Sequence, residues 1–254
     1  MGNLNKEPED YARLLLSKLN LTQAADLNCI LAPLRLTVRE SIATSFEGAL
    51  ICRMDRSKGV IVVTDSIIDE GRRRFTICHE IGHYILPGHG KVSCRSNEIE
   101  SQYKGLPRQE VEANRVASEL LLPTKLVYPR VVKQKASLAL AKELATEFQT
   151  SLTAAALKIV DLTEESSVVV WSENGYSKWA KRNENFYKFV PTGRLDQQTI
   201  AARLFGDNSI REAEGFVFAD AWLNDGSSGN VKFWEDSLYL SNYSAVLTIL
   251  TQTS

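Results

Sequence analysis

The sequence predicts an α+β fold with a mainly helical first part and a β-rich second part. Helical apolar periodicity recurs before residue 165 and is strongest over 69–86 and 108–122. Two apolar, strand-like runs, Gly48 to Arg53 and Gly59 to Thr64, flank a short polar stretch and predict an antiparallel hairpin. Strand-like runs dominate after residue 165, where all four tryptophans lie. These observations place a boundary near residue 165.

The remaining elements follow from shorter patterns. Pro8 to Leu19 has its leucines on one side and basic residues on another, which predicts an amphipathic helix. Residues 25–40 predict a short helix and then a strand, and 137–160 predict two helices that break near Gln149. In the β-rich part, strands are expected at 168–171, 216–218, 231–234 and 244–250, with a helix at 196–204.

Charge and composition exclude several classes of protein. The formal net charge is −1 and the pI about 6.4, so no overall positive field attracts nucleic acid or an anionic membrane. No apolar run approaches the roughly 20 residues that span a bilayer, and the polar N-terminus lacks a signal-peptide pattern. The four cysteines form no C-x-x-C pair. We therefore expect a cytoplasmic protein with free thiols and no membrane partner.

The segment from Phe75 to Leu86 contains an H-E-x-x-H motif inside a predicted helix, which Asp69 caps and Pro87-Gly88 ends. A spacing of four residues puts His79 and His83 on one face, so both imidazoles can reach one metal ion. Glu80 lies about 100° further round the helix, where its carboxylate can reach water without being a ligand. The chain has only three histidines, and two of them in this motif favour a metal site over unrelated core histidines.

Two residues compete to be the third ligand of a catalytic zinc ion. His89 has the ten-residue spacing of the metzincin pattern, but Leu86 replaces its glycine and no methionine follows for a Met-turn. Glu110 and Asn114 share one face of the second helix, which suits a ligand and a group that orients a metal-bound histidine. Glu110 is the better candidate of the two, but periodicity alone favours a surface glutamate at this position and does not settle the assignment. These donors predict one Zn²⁺ per chain, although Mn²⁺ or Fe²⁺ can occupy a similar site.

Residues 137–160 resemble a helix-turn-helix and raise the alternative of DNA binding. The second helix has Lys158 as its only basic residue and is otherwise alanine-rich and apolar. Phosphate contact and base readout need polar or cationic side chains. We therefore expect a packing element and no direct binding of nucleic acid.

The motifs resemble the ImmA/IrrE-type zinc metallopeptidases. That family has the pattern R-F-T-x-A-H-E-x-G-H, then E-x-x-A-N-x-F-A-x-x-L-L-x-P. Residues 74–83 read R-F-T-I-C-H-E-I-G-H and residues 110–123 read E-V-E-A-N-R-V-A-S-E-L-L-L-P. Cys78 and Val116 depart from the pattern by apolar exchanges. The match is tight over about residues 71–123 and only general in the last third of the chain.

The resemblance implies a zincin-like (gluzincin-like) metallopeptidase core at 1–123, in which a small antiparallel sheet packs on the two motif helices. It implies zinc at His79, His83 and Glu110, and a catalytic Glu80. Residues 124–165 then form a helix-turn-helix-like segment packed on the core, and 166–254 a β-rich domain with a sensory or regulatory role by analogy. The implied partner is a helix-turn-helix transcriptional repressor, cut at one site in a stress-response or mobile-element circuit.

Peptide hydrolysis would use Glu80 as general base and also needs a hydrogen-bond donor for the oxyanion. Tyr84, His89, Tyr103 and Tyr128 are all candidates for that donor. The strand at 59–64 is a candidate edge for pairing with an extended substrate, or simply a short edge that avoids aggregation. The alternative function is a zinc-containing sensor or scaffold that binds a repressor without cleaving it.

Overall fold

The structure is a computed structural model that describes residues 6–23, 26–42, 46–89, 107–207, 209–223 and 230–252, together with the backbone of 93–94. The chain divides into two compact units. The first comprises Met1–Leu126 and Leu144–Ala154, and the second comprises Val127–Glu143 and Ala155–Ser254. Within the described ranges, no helix is both long and apolar enough to cross a bilayer.

The first unit contains a four-stranded sheet and the helices that pack on it. Its strands are β1 (Leu36–Ser41), β2 (Gly48–Cys52), β3 (Gly59–Thr64) and β4 (Ser93–Cys94), in the order β1-β3-β2-β4. Its helices are α1 (Pro8–Lys18), α2 (Asn28–Leu31), α3 (Glu70–Ile85) and α4 (Arg108–Leu121). Apolar side chains from α1, α3, α4 and the sheet form one buried core.

The predicted hairpin is confirmed, because β2 and β3 pair antiparallel from Gly48 opposite Val63 to Cys52 opposite Gly59. The expectation of a fully antiparallel sheet is wrong, because β1 pairs with β3 in parallel. Strand β3 lies between β1 and β2, so a crossover connects β1 to β2 and no tight turn joins them. Strand β1 therefore runs parallel to its neighbour β3. The same order makes β3 an interior strand, so the expectation that it offers a free edge to a substrate is also wrong.

Helix α3 begins as predicted, because the Asp69 carboxylate accepts a hydrogen bond from the Arg72 backbone N–H at 2.6 Å. Helix α4 packs against α3 at Gly82. A Cβ atom at Gly82 would lie 3.1 Å from the Cα and carbonyl oxygen of Ala113, so glycine permits this close approach. This close packing of α3 and α4 brings side chains from both helices together next to Gly82.

Three further helices are α5 (Thr124–Val131), α6 (Leu138–Glu147) and α7 (Leu152–Leu162). The two predicted helices with a break near Gln149 are confirmed, since Gln149 has a φ of 50° between α6 and α7. Residues Ala155–Val160 of α7 are buried, and the Lys158 side chain is buried with them. A buried lysine is poorly placed to contact phosphate.

The second unit is built on a six-stranded antiparallel sheet in the order β7-β6-β5-β10-β9-β8. The strands are β5 (Ser167–Glu173), β6 (Tyr176–Arg182), β7 (Gly193–Arg194), β8 (Glu212–Phe218), β9 (Lys232–Leu240) and β10 (Ala245–Gln252). Helices α8 (Ile200–Gly206) and α9 (Asp220–Leu223) lie between strands along the chain. Phe186 and Phe233 are among the side chains of the core. The prediction of a β-rich second part is confirmed.

Candidate metal centre

Helix α3 turns two imidazole rings toward one point. The side chains of His79 and His83 are fully buried, and their Nε2 atoms are 3.0 Å apart. The ring centroids are 4.7 Å apart and the ring planes are inclined by 74°. The spacing of four residues therefore aligns both Nε2 lone pairs on the same small volume.

Helix α4 supplies a carboxylate to the same volume. Glu110 is 4% exposed, and its Oε2 lies 3.0 Å from His79 Nε2 and 3.4 Å from His83 Nε2. Donor atoms at ~2.05 Å from a tetrahedral zinc ion are ~3.3 Å from one another. Among the described residues, His79, His83 and Glu110 are the group whose donor atoms could hold a metal ion. The donor set and its spacing thus fit a divalent ion such as zinc.

The Nδ1 atoms of both imidazoles have partners on the side away from the cluster. His79 Nδ1 is 2.8 Å from Asn114 Oδ1, which can only accept a hydrogen bond, so Nδ1 is the donor. His79 Nε2 faces the cluster, and with Nδ1 protonated it is the nitrogen available to a metal ion. His83 Nδ1 is 2.9 Å from Nδ1 of His89. Asn114 thus contacts the His79 ring on the side opposite the cluster.

The electrostatics of the metal-free cluster favour an ionised carboxylate. Burial raises the pKa of Glu110, but hydrogen bonds and charges from His79 and His83 outweigh burial and hold that pKa well below its usual range. Burial lowers the pKa of His79, yet the Glu110 hydrogen bond and the charges of Glu80 and Glu110 raise it overall. Burial lowers the pKa of His83, and repulsion from His79 and His89 adds to this effect. Glu110 is therefore a strong anionic donor.

Glu80 lies between α3 and strand β2 and is fully buried. A Cβ atom on Gly48 of β2 would be 2.8 Å from Glu80 Oε1, so glycine makes room for this carboxylate. Because the charge of Glu80 helps to raise the pKa of His79, the carboxylate is near the cluster without belonging to it.

The four candidate oxyanion donors have different surroundings. The Tyr84 hydroxyl donates to the carbonyl oxygens of Leu34 and Arg56, so the structure does not bring it to the cluster. Tyr128 is on α5, in the second unit, and is 44% exposed. Tyr103 lies outside the described residues. His89 is beside His83 and is 3% exposed.

Sequence reasoning missed two residues of this region. Periodicity makes Glu112 a surface residue, yet its Oε2 is 3.0 Å from His89 Nε2. Arg56, in the β2–β3 loop, donates hydrogen bonds to the backbone oxygens of Tyr84, Leu86 and His89. Neither contact has a signal in local spacing, because 23 residues separate His89 from Glu112 and 33 separate Arg56 from His89.

The fold and the cluster together define a metallopeptidase-like protein. Residues 35–160, about half of the chain, match the family described as Peptidase_M78, IrrE N-terminal-like domain. The chain belongs to this family, and its resemblance to the ImmA/IrrE-type metallopeptidases is confirmed.

A Mycobacterium tuberculosis transcriptional regulator of known structure has a similar fold. The TM-score is 0.60 at 13% sequence identity, and the match covers 96% of this chain and 76% of the regulator. At this identity the likeness concerns the fold alone. No curated protein matches the chain in sequence.

Proposed function

We propose that this protein is a zinc-dependent endopeptidase that cuts a helix-turn-helix transcriptional repressor at one site. The observation that carries the proposal is the convergence of His79, His83 and Glu110 beside a buried Glu80. Two histidines and one carboxylate are the ligands of many hydrolytic zinc sites. Membership in a family described as a peptidase supports the same reaction.

In the proposed peptide hydrolysis, each buried residue of the cluster and the neighbouring Glu80 has a separate role. A bound zinc ion would supply Lewis-acid polarisation and acidify water. Glu80 accepts the proton of the attacking water at its carboxylate and then returns it to the leaving amine. His79, which contacts Asn114 through Nδ1, and His83 would hold the ion through their Nε2 atoms, and Glu110 would add a negatively charged donor. Burial of Glu80 and both imidazoles limits competing contacts with bulk water.

The repressor substrate is supported by the family resemblance and is compatible with the similar fold of a transcriptional regulator. We expect the enzyme to act in the cytoplasm. We also expect one Zn²⁺ per chain, and elemental analysis of the purified protein will distinguish zinc from manganese and iron.

The test is cleavage of a helix-turn-helix repressor encoded beside the gene for this protein, with one equivalent of zinc. The wild-type chain should produce a single cut. Glu80→Gln should retain stoichiometric zinc and lose at least ~10²-fold in cleavage rate. Glu70→Gln is the matched control, because Glu70 is an exposed carboxylate on the same helix, and its rate should equal that of the wild type.

Full activity in Glu80→Gln would refute the assignment of the general base. Absence of stoichiometric metal from the wild-type protein would refute the metallopeptidase itself. A zinc-loaded wild-type protein that binds the repressor and leaves it intact would instead identify a sensor or scaffold.

A further inference from the structure

A chain of hydrogen bonds runs from the surface of α4 to one of the proposed metal ligands. Glu112 Oε2 is 3.0 Å from His89 Nε2, and His89 Nδ1 is 2.9 Å from His83 Nδ1. The side chain of His89 is 1% exposed and that of Glu112 is 21% exposed. The metal donor Nε2 of His83 is on the opposite side of the same ring.

The carboxylate of Glu112 sets the direction of both hydrogen bonds in the series from Glu112 through His89 to His83. A carboxylate can only accept, so His89 Nε2 must carry the proton that Glu112 receives. In the neutral imidazole of His89, Nδ1 is then an acceptor. His83 Nδ1 must therefore donate to it, so in the neutral His83 ring Nε2 is the unprotonated nitrogen, directed at the cluster and available to a metal ion. The three residues thus select the tautomer of His83 that can bind a metal ion.

The backbone around His89 is also held in place. The guanidinium of Arg56 donates to the carbonyl oxygens of Tyr84 and Leu86, at 2.8 and 2.6 Å, and to that of His89. These carbonyls belong to the end of α3 and the residues that follow it, so one side chain fixes His89 relative to the helix that carries His83. Such charge-assisted bonds are stronger than neutral ones.

We propose that His89 and Glu112 are positioning residues of the metal centre, which hold His83 in the orientation and tautomer of a ligand. The inference rests on the metal site of the proposed function and extends it to two residues outside the donor set. His89 itself is not a ligand in this arrangement, because it contacts His83 on the side of the ring that faces away from the cluster. Glu112 occupies an unspecified position of the E-x-x-A-N pattern.

The test measures zinc affinity by competition with a chromogenic chelator, which requires no substrate. His89→Leu removes the acceptor for His83 Nδ1 and should raise the Kd for zinc by about 10- to 100-fold, the usual effect of losing such a partner. His89→Asn should restore most of the affinity, because its Oδ1 occupies the position of His89 Nδ1. Glu112→Leu should also raise the Kd, because His89 is then free to take the other tautomer.

Two further variants separate positioning from general damage. Arg108 binds the other oxygen of Glu112 and its side chain is 90% exposed, so Arg108→Gln should change the Kd by no more than about fivefold. The double variant His89→Leu with Glu112→Leu should be no worse than His89→Leu, because both residues act through one contact. Urea unfolding of the metal-free proteins measures any loss of stability separately.

The absorption spectrum of the cobalt-loaded proteins reports on the ligand geometry directly. The Leu variants should alter the visible bands, and His89→Asn should restore them. Wild-type zinc affinity and wild-type cobalt bands in both Leu variants would overturn the positioning role while leaving the proposed peptidase intact. A wild-type protein that binds no zinc would overturn both. A Kd raised equally in His89→Leu and His89→Asn would also refute the hydrogen-bond argument.

Discussion

Substitution of Gly48 by alanine tests whether strand β2 positions Glu80, the proposed general base. The added Cβ atom would lie 2.6 Å from Thr76 Cγ2 and 2.8 Å from Glu80 Oε1. The strand cannot yield easily, because Gly48 pairs with Val63, and the Thr76 hydroxyl donates to the Arg72 carbonyl at 3.1 Å. Both the Thr76 methyl group and the Glu80 carboxylate must therefore be displaced.

The expected cost follows from two opposing effects. Over-packing of a core usually destabilises by about 1–3 kcal/mol. Replacement of glycine stabilises by about 0.4–1 kcal/mol, because the unfolded chain has less conformational entropy. We expect the free energy of unfolding to fall by roughly 0.5–2 kcal/mol. A displacement of Glu80 by about 1 Å should reduce the cleavage rate by about 10²-fold, with zinc stoichiometry unchanged.

Gly59→Ala is the matched control, since it crowds the same sheet without touching Glu80. Its Cβ would be 3.0 Å from Cys52 Cβ, from the Ile51 carbonyl oxygen and from Leu36 Cδ2. We expect it to lose stability in urea unfolding and to retain cleavage of the repressor. Equal loss of cleavage in both variants, or a wild-type rate in Gly48→Ala, would refute the reasoning.

Two other predictions concern stability. Asp69→Ala removes the acceptor of the Arg72 N–H at the start of α3 and should lower the free energy of unfolding by about 0.5–2 kcal/mol. Asp69→Ser should recover most of that loss, and an unchanged urea midpoint in the alanine variant would contradict the cap. Glu235→Leu removes the acceptor of the Ala201 N–H, the Trp222 Nε1–H and the Ser237 hydroxyl. Each buried donor left unsatisfied costs about 1–3 kcal/mol, so calorimetry should show a large fall in the melting temperature, and a fall of less than about 2 °C would contradict this role.

Local patterns predict elements well when one short segment contains the whole signal. The cap and periodicity of α3 belong to this class, as does the β2–β3 hairpin. The hairpin between β5 and β6 has an equally local signal in Asn174-Gly175, whose φ angles of 52° and 77° suit a tight turn between strands. Its second strand is rich in lysine, arginine and polar residues, so apolar periodicity alone does not detect it.

Long-range pairing explains what sequence reasoning got wrong. The direction of β1 depends on a crossover past β3, and no residue within β1 specifies its partner. For the site, spacing brings His79 and His83 together, whereas Glu110 required the family resemblance. The structure brings these three residues together. The contact between His89 and Glu112 joins the end of α3 to α4, and helical periodicity places Glu112 about 200° round the helix from Glu110.

The partners of the buried carboxylates distinguish structural acids from the proposed metal donor Glu110. Glu235 accepts hydrogen bonds from a backbone N–H, an indole and a hydroxyl, and Asp236 accepts from the Leu138 N–H. These donors are neutral, so burial dominates and raises the pKa of both acids. Glu110 faces two imidazoles instead, and they lower its pKa despite burial. An acid that remains ionised opposite two Nε2 atoms has the electrostatics of a metal ligand, whereas Glu235 and Asp236 have those of a helix cap. The environment of each acid, more than its burial, therefore decides whether its pKa rises or falls.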